Sequence, residues 1–156
     1  MDLFYKKIIW QQFGAAMDML ENAIVACPDY LWDTDAKCWY ISYHTLFYLD
    51  YYLTRGDFMP PAPYTLSELD PAGVLPDRTY SKTELLDYLQ YSREKCRELI
   101  DSLVTGEEVF SKKYSVFEIL LYNMRHVQHH TAQLNLLLRQ GMDDAPEWVT
   151  RAKSVY

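Results

Sequence analysis

The chain has 156 residues, 49% of them hydrophobic and 24% charged, enough for one domain to bury a core unaided. A formal net charge of -7, with basic residues scattered among acids as in Ser92-Arg93-Glu94-Lys95, argues against a general nucleic-acid or anionic-membrane binder. No apolar run approaches the ~20 residues of a membrane span. Met1-Asp2-Leu3-Phe4-Tyr5-Lys6-Lys7 lacks a signal-peptide pattern, and Cys27, Cys38 and Cys96 suit neither a zinc ribbon nor a disulfide framework, so the expectation is a soluble cytoplasmic protein with reduced thiols.

Four proline-free segments read as helices, with Gly14 the only glycine inside them. The first covers about 5–27, where Ile8, Ile9, Phe13, Ala16, Met17, Leu20, Ala23 and Ile24 recur at three and four, and Pro28 ends it. The second begins near Thr34 or Asp35, either a good N-cap, and runs to about Thr54 before Gly56. Its aromatics (Trp39, Tyr40, Tyr43, Phe47, Tyr48, Tyr51, Tyr52) would suit a strand, but its length and lack of turn residues favour a helix.

Residues 55–80 change character: Pro60, Pro61, Pro63, Pro71, Pro76, Gly56 and Gly73 predict an irregular connection, with a short turn between Thr65 and Leu69. It is long enough to carry the chain along a whole bundle, so the second and third helices need not form an antiparallel hairpin. Ser81 with Glu84 makes a capping box that opens the third helix, which runs to about Thr105 before Gly106. Leu85, Leu89, Cys96, Leu99, Ile100 and Leu103 should face inward. Ser115 with Glu118 opens the fourth, which runs to Gln140 before Gly141, and the tail with Pro146 and Trp148 should pack back. The expected fold is a single all-α domain over 1–156: a four-helix bundle with a long crossover connection between helices two and three.

All four histidines fall in these helices. Positions four apart lie about 40° apart on a helix, so His126 and His130 can aim at one point, as paired helical histidines do when they chelate zinc-like ions. The stripe Val116, Ile119, Leu120, Val127, Leu134, Leu137 and Leu138 decides the phase. His130 lies about 40° from its centre, His126 about 80°, and His129 roughly 140°, which places His129 outside. His44, near the stripe of Tyr40, Phe47 and Tyr51, offers a third imidazole from another helix. Three imidazoles leave positions open for water, unlike a closed structural site. Packed core histidines without a metal are the competing explanation. Val127 stands where a zincin has its Glu, which argues against a metalloprotease.

The segment His126-Val127-Gln128-His129-His130-Thr131-Ala132-Gln133 resembles the His-x-x-x-His-x-Gly-Gln motif on the last bundle helix of the DinB/YfiT-like superfamily of metalloenzymes. Leu137-Leu138-Arg139-Gln140-Gly141, Pro146-Glu147-Trp148 and the aromatic stretch Trp39-Tyr40-Ile41-Ser42-Tyr43-His44-Thr45-Leu46-Phe47 are also similar. The resemblance spans nearly the whole chain, and one departure is Ala132 where the family commonly has Gly. It implies helices two and three running parallel, and a nickel or zinc site with His44, His126 and His130 as ligands and waters completing the shell. It also implies a homodimer and a metal-dependent enzyme, a thiol-dependent S-transferase or hydrolase acting with a low-molecular-weight thiol or another small-molecule substrate. A non-catalytic, metal-stabilised stress-response or assembly protein is the alternative. Tyr40, Tyr43 and Asn123 are candidates for orienting substrate, although Asn123 could equally bridge helices, and Gln133 could orient a ligand or simply cover an edge. No acid is well placed as a base: Asp50 lies about 120° round from His44, and Glu118 is accounted for by its cap.

Overall fold

In a computed structural model, which describes residues 1–105, 107–111 and 113–156, the fold is all-α. The helices are α1 (Leu3–Ala26), α2 (Asp29–Trp32), α3 (Cys38–Leu53), α4 (Lys82–Asp101) and α5 (Val116–Met142). No strand forms among the described residues; Val109 and Ser115 make an isolated bridge. None of the helices is long and apolar enough to cross a membrane among the described residues.

Both predicted capping boxes close. The Ser81 and Ser115 hydroxyls accept the backbone N–H of Glu84 and Glu118, and each glutamate accepts its serine's backbone N–H in return. Asp2 caps α1 by accepting the Phe4 N–H. The start of α3 differs from expectation. Thr34 and Asp35 lie outside it, and Lys37, in the left-handed region at φ 47°, precedes its first residue without a side-chain cap. The four-residue α2 occupies the interval, because Pro28 ends one helix and supplies a suitable N-cap backbone for the next. α4 ends at Asp101 with Ser102 as its C-cap, short of the expected Thr105, so its stop comes before Gly106, which itself lies outside the described residues.

Two glycines explain where the C-terminal segment sits. Gly141 lies inside α5 and is not its stop: a Cβ there would come within 2.5 Å of a Leu31 methyl, so the residue permits close packing against α2. Asp143, at φ 57°, caps the helix instead. At Gly14 a Cβ would meet that of Ala152 at 2.6 Å. The tail packs back along α1 at this point, with the Ala152 N–H donating to the Gln11 carbonyl and Trp10 Nε1 donating to the Ser154 carbonyl. The contact is made by 152–156; Trp148 itself is 68% exposed.

α1 packs on α4 and α5, and α3 packs on the same two helices from the other side. Directions follow from side-chain partners. Trp39, early in α3, meets Tyr80 just before α4, while Asp50 and Thr54 at its far end meet Lys95, so α3 and α4 run the same way. His44 faces His130 and Tyr52 faces Tyr122, so α3 and α5 run oppositely. Connection 54–81 therefore returns the chain to the end of α3 where that helix began.

The core holds Phe13, Met17, Leu20 and Ile24 from α1, Tyr43, Leu46 and Leu49 from α3, Leu85, Leu89 and Cys96 from α4, and Val127, Leu134 and Leu138 from α5. Ile8, expected inside, is 41% exposed. α3 is buried on most of its circumference, and Tyr51, assigned to its inward stripe, is exposed. Among the residues of α3 the half-buried seam is Tyr40, His44, Tyr48 and Tyr52, each one turn from the next.

Candidate metal centre

Two seams with the spacing i, i+4, i+8 face one another across the α3–α5 contact. One carries Tyr40, His44, Tyr48 and Tyr52, the other Tyr122, His126 and His130. Because the helices are antiparallel, His44 meets His130 with ring centroids 4.8 Å apart, while His126 lies between Tyr48 and Tyr52 at 5.8 and 5.7 Å. His126 and His130, one turn apart on α5, have centroids 4.5 Å apart. One nitrogen from each of His44, His126 and His130 lies within 4.8 Å of the others. Nitrogens that share one ion lie roughly 3–3.5 Å apart, so the triad as it stands is wider than a ligated one.

Hydrogen bonds determine which nitrogens remain free. Glu68 Oε2 lies 2.7 Å from His44 Nδ1, and Gln133 Oε1 lies 2.7 Å from His130 Nδ1. Both oxygens are acceptors, so both Nδ1 atoms carry the proton and leave the Nε2 lone pairs available. His126 Nδ1 is buried without a partner. Burial, with smaller contributions from His130, His44 and His129, holds His126 down to about 3. Burial also lowers His130, against the opposing effect of the hydrogen bond it donates to Gln133. Desolvation thus keeps these rings neutral at physiological pH, the form in which imidazole donates a lone pair.

The structure brings together the three residues expected to converge and leaves out the fourth: His129 is exposed. Gln133 orients His130. Asn123 is fully buried and donates from Nδ2 to the Leu49 carbonyl at 2.9 Å, so it bridges α5 to α3. Tyr43 is fully buried and its hydroxyl donates to the Thr65 carbonyl, so it holds the connection in place. Tyr40 stays beside His44, and burial together with the nearby Glu68 carboxylate pushes its phenol up to about 12. Asp50 points away from the site, to Tyr88 and Lys95 of α4. The three cysteines are buried, and burial raises the Cys96 thiol well above its ordinary range, which removes it as a nucleophile.

Glu68 and Tyr48 were not anticipated. Glu68 sits on a 3-10 turn, Leu66–Leu69, inside the proline-rich connection, where no periodicity assigns it a direction. Thr65-Leu66-Ser67-Glu68 has the spacing of a capping box, yet Thr65 makes no side-chain cap bond and Glu68 turns to His44. Its side chain is 3% exposed, and its second oxygen, Oε1, is buried without a hydrogen-bond partner. Tyr48 donates its hydroxyl to the Glu68 carbonyl at 3.1 Å. An acid in a loop that follows a histidine-bearing helix was the available sequence clue.

Fold and site together define a class: an all-helical protein with three imidazoles of metal-ligating type gathered between two antiparallel helices. No family model, curated protein or solved structure matches the chain. The site's own chemistry therefore carries the functional reading.

Proposed function

We propose that the protein is a DinB/YfiT-like four-helix bundle, with a crossover between α3 and α4, that binds one divalent ion, nickel or zinc, through His44, His126 and His130. The observation that carries this reading is the triad itself. Three imidazoles from two helices sit within reach of one another, two of them kept neutral by desolvation and one with a buried nitrogen lacking any partner. Packed core histidines normally have their polar atoms satisfied. The shared direction of α3 and α4 supports the crossover part of the proposal.

The activity we assign is that of a metal-dependent enzyme, a thiol-dependent S-transferase or a hydrolase, working on a small electrophile. A divalent cation held by three neutral ligands keeps open positions and lowers the pKa of a thiol or water bound there, supplying a nucleophile near neutral pH. This chain's residues set the rest. Glu68 and Gln133 fix the tautomers of His44 and His130, while the rings of Tyr40, Tyr48 and Tyr52 wall the site. Family resemblance adds the expectation of a cytoplasmic homodimer and of a low-molecular-weight thiol as co-substrate.

Elemental analysis of protein purified without a histidine tag tests the metal. About one ion per chain is expected after divalent supplementation, and less than ~0.2 contradicts the proposal. Thiol consumption with a panel of electrophiles tests the activity. Wild type should outpace His130→Ala, and equal rates would leave a non-catalytic metal protein.

A further inference from the structure

The connection 54–81 is tied to α3 by three bonds close to the imidazoles. Tyr43 donates to the Thr65 carbonyl, Tyr48 donates to the Glu68 carbonyl, and His44 Nδ1 meets Glu68 Oε2. Two of them come from the backbone of one short turn, and the third is the only one of the set that includes a proposed ligand. The glutamate departs from its local role to make it: the same Thr/Ser-x-x-Glu spacing closes a cap at Ser81 and Ser115 but not at Thr65. A carboxylate whose side chain is 3% exposed, held between the His44 imidazole and the Tyr40 phenol, is costly to bury unless a cation stands close by.

Resting on the metal reading above, we propose that Glu68 is the positioning residue for His44 and that, through it, ion binding at His44 clamps the connection 54–81 against α3. A carboxylate behind a ligating imidazole holds the ring orientation and raises its basicity. Ligation in turn polarises the His44 N–H and strengthens its bond to Glu68. The coupling is reciprocal by linkage: an ion that tightens this bond favours the docked turn, and a docked turn favours the ion. The connection thereby serves as an ion-responsive flap beside the pocket wall formed by Tyr40 and Tyr48.

Glu68→Gln separates positioning from simple tethering, because glutamine retains an acceptor for His44 Nδ1 and loses only the charge. Zinc affinity is measured by chelator competition, and amide exchange across 64–73 is followed with and without zinc. Wild type should bind zinc, with exchange slowed in 64–73 on binding. Glu68→Gln should bind 10–100-fold more weakly and show no such slowing at equal saturation. Wild-type affinity in Glu68→Gln overturns the proposal, as does exchange in wild type that zinc leaves unchanged; the latter requires no variant to fold. Should wild type bind no zinc or nickel at all, the metal reading fails first and the clamp with it.

Discussion

Two polar clusters flank α3, and they are built to opposite specifications. On the α4 side the Asp50 carboxylate, fully buried, is closed on both oxygens: Tyr88 donates to one and Lys95 to the other, while Lys95 also meets the Thr54 hydroxyl. On the α5 side the three histidines and Glu68 leave a ring nitrogen and a carboxylate oxygen with no hydrogen-bond partner. The first cluster is complete without any ligand and serves to lock two parallel helices. The second is incomplete as a set of protein groups, and under the proposed function its imidazoles are completed by a cation. Burial alone does not distinguish a structural polar group from a functional one, and neither does an open bonding position, which Asn123 and Thr131 of α5 also keep; what sets the second cluster apart is the convergence of three imidazoles.

The comparison breaks most visibly at Lys95. Lys95→Ala leaves the Asp50 carboxylate buried with only the Tyr88 hydroxyl and should cost about 3 kcal/mol in denaturant unfolding. It should leave zinc stoichiometry unchanged, and a loss of zinc sites in the folded variant would show that the clusters are not independent. Next in size is the effect of the ion. At a hundredfold excess over Kd, zinc should stabilise wild type by about 2.7 kcal/mol and His130→Ala by almost nothing. Equal stabilisation of both would place the ion elsewhere.

Acid sharpens the contrast further. Because His126 is held down to about 3 in the folded chain, against an ordinary value near 6.5, the unfolded chain binds the extra proton between these values. Metal-free stability should be fully present above about pH 6.5 and should fall as pH drops toward 3. The slope from this group should reach up to about 1.4 kcal/mol per pH unit. His126→Gln should flatten that slope when unfolding is followed in chelator, and an unchanged slope would mean that His126 is not the group responsible. The smallest effect expected is at the start of α5: Ser115→Ala, losing a capping box remote from the histidines, should cost about 1 kcal/mol and leave metal affinity alone. A large drop in affinity would mean that the whole length of α5 sets the site.

Much of this was legible in the chain because its devices are local or periodic. Ser81 and Ser115 announced two helix starts through a four-residue pattern, and the apolar period of α5 placed His126 and His130 inward and His129 outward. α3 was harder. It is buried on most sides and rich in aromatics, so no single stripe marks an inward face, and Tyr51 was assigned to the wrong one. Glu68 was invisible for a different reason: its role arises from tertiary contact between a turn and a helix, and its sequence pattern suggests a cap that the backbone does not use. Gly141 misled similarly, since its close approach to Leu31 resembles a helix stop when only sequence is read. Contacts made across long separations leave no periodic trace.

Diffraction from metal-loaded crystals at the absorption edge of zinc or nickel tests the central claim most directly. One anomalous peak per chain should appear within bonding distance of His44, His126 and His130, with Glu68 behind His44. A fully loaded crystal whose peak lies away from these three imidazoles, or whose triad remains free of any peak, would contradict it.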